Sequence, residues 1–140
     1  MMNSFARGVA VALLTGLVTA ASAQDLAGAW TLRIQDLAHK QVSVLTVRFS
    51  DQQARSCIGG DWRRVVVESA KTEDKKFFPV DEPLSYRLSG QEVTIGRNEV
   101  CDGYLRLSGA LKGDEAQGAY YSMNVSASQD LGFFVLNRRP

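Results

Sequence analysis

Leu26-Ala27-Gly28-Ala29-Trp30-Thr31-Leu32 is the stretch on which the reading of this chain turns. Side chains alternate across an extended backbone, so Trp30, Leu32 and Ile34 fall on one side and Thr31, Arg33 and Gln35 on the other. One face is dry and the other wet. This predicts a half-buried strand that opens a sheet and carries a large indole into its core. Gly28, two residues ahead of Trp30, is expected to leave room for a second backbone to approach the indole.

Upstream of that strand, Arg7 precedes an uncharged apolar run from Gly8 to Thr19, and Ala21-Ser22-Ala23 has the small-x-small pattern of an export cleavage site. Residues 1–23 therefore read as a signal peptide and residues 24–140 as one domain. No later run is apolar for the ~20 residues that a membrane-spanning helix needs. The expectation is a periplasmic or secreted monomer with no integral membrane segment after cleavage. Without Arg7, fifteen basic residues face fifteen acidic ones. Such a balanced chain has no overall field to draw in nucleic acid.

Cys57 and Cys101 are the only cysteines, and His39 is the only histidine. In an oxidising compartment an isolated cysteine pair in a small domain reads as a disulfide. A metal site would need more ligands than these. His39 lies in a polar loop beside Lys40 and reads as a surface residue, a lone axial haem ligand being the distant alternative. No metal or cofactor is expected.

After the first strand, apolar runs bounded by turn residues predict strands at Val42–Phe49, Trp62–Ser69, Leu84–Leu88, Val93–Ile95, Gly103–Ser108, Ala116–Val125 and Leu131–Asn137. The Ser89-Gly90 turn between the fourth and fifth is the clearest hairpin signal. Val65-Val66-Val67 is apolar on both faces, which predicts coverage on both sides or a bulge. Helix is confined to one turn near Asp51–Arg55. Ala70–Pro83 is an irregular loop with the charge run Lys71–Lys76 and then Phe77-Phe78. The fold class is all-β: an eight-stranded antiparallel meander that closes into a barrel and so hides its edges, stapled by one disulfide. A two-sheet sandwich is the competing architecture.

Gly28 and Trp30 at the head of the first strand resemble the motif that opens the lipocalin and calycin barrels. Arg138, after the last strand, matches the arginine that in that family stacks on this tryptophan and closes one end of the barrel. The resemblance implies a barrel that binds a small hydrophobic molecule or lipid fragment. Asp25–Leu32 also resembles the start of the bacterial inhibitors of secreted metalloproteases, small disulfide-bonded barrels that insert an N-terminal arm into the protease. Only Gln24 and Asp25 would precede Leu26 here, which leaves a short arm. Inhibition of a periplasmic or secreted hydrolase through a loop is the alternative function.

An eight-stranded barrel has an interior just wide enough to be filled by side chains or to hold one small ligand. Inward candidates are Trp30, Leu32, Leu45, Val47, Phe49, Val65, Val67, Tyr86, Leu88, Ile95, Leu105, Leu107, Tyr121, Met123, Phe133 and Val135. Of these, Trp30, Phe49, Tyr86, Tyr121, Met123 and Phe133 are the expected ligand contacts, with Phe77 and Phe78 at the barrel mouth. Two adjacent aromatics cannot both face inward from an extended chain. Their loop therefore reads either as a portal or as a lid. Arg63 and Arg64 are a further candidate contact for an acidic partner. No catalytic set is expected: Asp61, Glu68, Asp81, Glu82 and Asp102 are scattered, and no serine or cysteine sits in a nucleophile-elbow context. The chain is not expected to be an enzyme.

Overall fold

The computed structural model describes residues 25–140, so the expected signal segment lies outside the described residues. Eight antiparallel strands follow one another round a closed barrel: β1 (Ala29–Asp36), β2 (Gln41–Gln53), β3 (Arg63–Thr72), β4 (Leu84–Ser89), β5 (Glu92–Arg97), β6 (Tyr104–Lys112), β7 (Glu115–Met123) and β8 (Ser128–Arg138). Closure comes from β1, which pairs with β2 on one edge and β8 on the other. The disulfide joins Cys57 to Cys101, with their Cα atoms 5.6 Å apart. Such a bond fits an oxidising compartment.

No helical turn forms over Asp51–Arg55. Asp51 to Gln53 instead continue β2, Gln53 pairs with Arg63, and the Ala54 amide donates to the Trp62 carbonyl at 2.8 Å. Pairing with β3 satisfies the backbone groups that a lone helical turn would leave open. The valine run of β3 resolves through a bulge: Val67 opposes Val47, Ser69 opposes Thr46, and Glu68 is the extra residue. Val66 then faces outward and is 46% exposed.

The inner face is packed solid. Trp30, Leu32, Ile34, Leu45, Val47, Val93, Ile95, Leu111, Tyr120, Phe134 and Leu136 have no accessible surface at all, so no water-sized space lies against any of them. Leu107 and Val65 are also buried, and Phe49, Val67, Leu88 and Leu105 pack against this core while partly exposed. In β7 and β8 the phase is opposite to the one the sequence suggests. Tyr120, Phe134 and Leu136 point inward, whereas Tyr121, Met123, Phe133 and Val135 point outward and are only partly buried. Register explains the reversal, because directly opposed residues share a face. Phe134 pairs with Ile34 and Leu136 with Leu32, while Tyr121 pairs with Arg106 and Met123 with Tyr104 on the outside.

The indole closes the end at which β1 starts. Trp30 Nε1 donates to the Leu26 carbonyl at 3.0 Å, and the Arg138 guanidinium lies 4.4 Å above the ring. Arg138 also donates to the carbonyls of Ala27 and Asp25 and pairs with Asp114 at 2.7 Å. A cation over a ring in this position contributes ~0.5–2 kcal/mol. Arg138 is the last residue of β8 and sits directly opposite Trp30. Gly28 serves this corner differently from expectation. A Cβ there would meet only Arg138 Nη1, at 3.9 Å, and glycine is needed instead for a φ of +86°, which turns the chain beneath the arginine.

Candidate binding surfaces

Aromatic side chains seal both ends of the barrel. At the Trp30 end, the Phe49 ring meets Trp30 edge-on at 6.1 Å and Tyr86 at 4.9 Å, and the Tyr86 hydroxyl donates to the Ser50 carbonyl at 2.9 Å. At the opposite end the loop between β3 and β4 folds inward. Phe78 is buried, Phe77 partly so, and both rings meet Tyr120 edge-on at 5.7 and 5.3 Å. The Tyr120 hydroxyl donates to the Phe77 carbonyl. Asp74 accepts the amides of Lys76 and Phe77, and Lys75 pairs with Asp81 at 2.7 Å, so the loop is fixed at its base. Of the two expectations for this loop, its geometry is that of an anchored lid. Trp30, Phe49 and Tyr86 thus pack against one another at one end, and Phe77 and Phe78 pack against Tyr120 at the other.

Burial raises the pKa of both Tyr120 and Tyr86. The folded state then holds these phenolic protons more tightly than the unfolded chain. Their contribution to stability is complete below the ordinary tyrosine pKa of about 10 and is lost as the pH rises above it. Base-induced unfolding is therefore expected to set in above about pH 10 and to shift to higher pH in Tyr120→Phe. Tyrosinate absorbance and far-UV circular dichroism, followed together, check this. Ionisation of Tyr86 and Tyr120 well before unfolding would contradict it.

A second construction covers the outside of β4, β5 and β6. The disulfide ties the β2–β3 connection to the β5–β6 turn, and the Cys57 amide donates to the Asn98 carbonyl at 3.0 Å. This lays Trp62, 2% exposed, over the sheet within cation–π distance of two guanidinium groups, Arg87 at 5.0 Å and Arg106 at 4.7 Å. Arg106 also lies 5.6 Å from the Tyr104 ring and donates to Asn98 Oδ1, while Asn98 Nδ2 donates to Ser85 Oγ at 2.7 Å. Gly96 makes the bed for that arginine, since a Cβ there would lie 2.9 Å from the Leu105 carbonyl oxygen and on top of the Arg106 guanidinium. Desolvation lowers the Arg106 pKa, and the facing aromatic rings offset part of the cost of burying its charge. Sequence reasoning missed Asn98 and Arg106. The available signal was Gly96 inside a strand, where a missing side chain marks a close approach.

The charged candidates are mostly held in ion pairs. Arg63 lies 3.0 Å from Asp51 and 3.5 Å from Asp61, Glu82 lies 2.9 Å from Arg97, and Glu68 pairs with Arg48. Arg63 borders an open recess of about 450 Å³ with Asp61, Tyr86 and Arg87. Arg64 points outward and has no ion-pair partner among the described residues. Asp102 takes a φ of +63° in the turn beside Cys101.

The third surface is the outer wall of β7 and β8. Phe133 and Val135 project from it, with Tyr121 and Met123 alongside on β7. His39, in the β1–β2 turn with φ +62°, stacks flat on Phe133 at a centroid distance of 4.3 Å. Asp36 Oδ1 fixes that turn by accepting the amides of Ala38 and Lys40, each at 2.9 Å. A shallow groove of about 310 Å³ runs beside the stack, bounded by Gln35, Gln117, Ala119, Phe133 and Val135. Leu37 near the turn is 60% exposed, and Val125 after β7 is 91% exposed. Large apolar side chains on the wet face of a closed barrel do not serve its closure.

No family model, no curated protein and no solved structure matches this chain.

Proposed function

We propose that this chain is an exported binding module that holds a protein partner against the outside of its barrel, on the wall formed by Tyr121, Met123, Phe133 and Val135 with His39 at its edge. Inhibition of a periplasmic or secreted hydrolase is the specific form favoured. The observation that carries the reading is that, with the interior filled by an apolar core, further aromatic and apolar side chains stand partly exposed on the outer face of β7 and β8. Rigid aromatic groups in such a setting supply much of the energy at protein interfaces. The filled interior supports this reading over a small hydrophobic guest held inside.

The test is affinity capture from a periplasmic extract of the native host with the wild-type protein and with Phe133→Ser. The wild type is expected to recover one hydrolase in stoichiometric amount, and Phe133→Ser to weaken that capture at least tenfold. Phe133 is partly buried and lies outside the core, and a cross-strand pair contributes only about 0.2–1 kcal/mol to folding, so the variant should melt close to the wild type. Capture that is indifferent to Phe133→Ser would overturn the assignment, as would a small molecule co-purifying with the protein in native mass spectrometry.

A further inference from the structure

β3 meets β4 only over Arg63–Val65, opposite Leu84–Tyr86, whereas its other edge is paired with β2 along nearly its whole length. Among the described residues, no strand lies against the edge of Val66 to Thr72 that is turned toward β4. No backbone hydrogen bond from the following loop reaches it either, the nearest being Glu73 to Val42, on the β2 side. At ~3.3 Å per residue this leaves roughly 23 Å of open strand edge. Beside it runs a groove of about 630 Å³, floored by Val65, Val66 and Val67 and walled by Val80 and Pro83. The valine run that is apolar on both faces therefore lacks cover on its outer face.

We propose that this edge accepts an extended peptide segment of a partner protein, which adds to the sheet as a strand beside β3. Pairing with an open edge supplies main-chain hydrogen bonds, and alternate side chains of the added strand supply selectivity. The charges along the groove specify the occupant. Glu68, Asp81 and Glu82 are already held by Arg48, Lys75 and Arg97. Arg64, which lines the groove, and Lys71, the next residue of β3 beyond its far end, have no ion-pair partner among the described residues. The complementary segment is apolar and β-branched where it runs beside Val66 and Val67 and acidic towards its ends. A second copy of this chain fits poorly, because it brings the same two unpaired cations and a second Glu68 bulge to the edge, features that discourage self-pairing. This surface is independent of the β7–β8 wall, so either can fail alone.

The test uses a synthetic heptapeptide, acetyl-Asp-Thr-Val-Thr-Val-Thr-Glu-amide, whose two acidic ends share one face, with hydrogen exchange of the full-length mature protein as the readout. The peptide is expected to slow exchange of alternate amides between Val66 and Thr72 at least tenfold. The effect should vanish when alternate peptide nitrogens are methylated and should weaken severalfold in Arg64→Ala, whose exposed side chain is not part of the core. No protection at millimolar peptide, or equal binding of the methylated peptide, overturns the proposal. So does protection confined to β8. Slowed exchange of the same amides at high protein concentration without peptide would assign the edge to a second copy and also overturn it.

Discussion

Trp30→Ala is expected to lower the free energy of unfolding by about 3–5 kcal/mol, the range for truncating a large buried aromatic. The indole has no accessible surface, touches the Phe49 ring, donates to Leu26 and supports the Arg138 guanidinium. Removing it deletes the transfer energy of the ring and opens a cavity where three closing elements converge: the N-terminal approach, β1 and the end of β8. A small domain has about 5–15 kcal/mol of stability in total, so the variant should be marginally folded. Urea unfolding followed by circular dichroism measures the loss. A cost below about 1 kcal/mol, the range of an ordinary surface change, would mean that the tryptophan does not close the barrel.

Replacing Cys57 and Cys101 by serine is expected to cost about 4 kcal/mol. This is the chain-entropy value for a loop of this size, with the two cysteines 44 residues apart in sequence. The same substitution has a local consequence. The β2–β3 connection is held over the outer sheet by the disulfide and by the Trp62 contacts with Arg87 and Arg106. Without the bond, Trp62 should become accessible to acrylamide quenching while Trp30 remains protected. A loss of stability with both tryptophans still protected would show that the arginine contacts hold the connection unaided.

The barrel was legible in the sequence because β1 alternates cleanly and because successive strands are joined by connections that let neighbours pair. The strand order and the closure follow from that pattern, and the pairing of the two cysteines follows from their being the only two in the chain. The placement of Arg138 over Trp30 was legible from the family resemblance, although Gly28 proved to serve a backbone angle and not a close contact. The phase of β7 and β8 was not legible. Phe133-Phe134-Val135-Leu136 offers apolar residues to both faces, and only pairing with Leu32 and Ile34 decides which two turn inward. In β7 the small residues Ala116 and Gly118 share the inner face with Tyr120, so the alternation shows less apolar bulk on the inside than on the outside. The Arg106 site was hidden for a related reason. A buried arginine on the outer face depends on a tryptophan delivered by a distant loop, and no local pattern in β6 announces that contact.

The same ambiguity moves Tyr121, Met123 and Phe133 from an expected internal pocket to an external wall, and with them the functional reading. A high-resolution crystal structure of the protein purified from its native host tests this most directly, through the electron density enclosed by Trp30, Leu45, Ile95, Tyr120 and Phe134. Side chains in contact with one another, and nothing else in that space, is the expected result. Density for a bound molecule there, with Phe77 and Phe78 displaced from Tyr120, would contradict it.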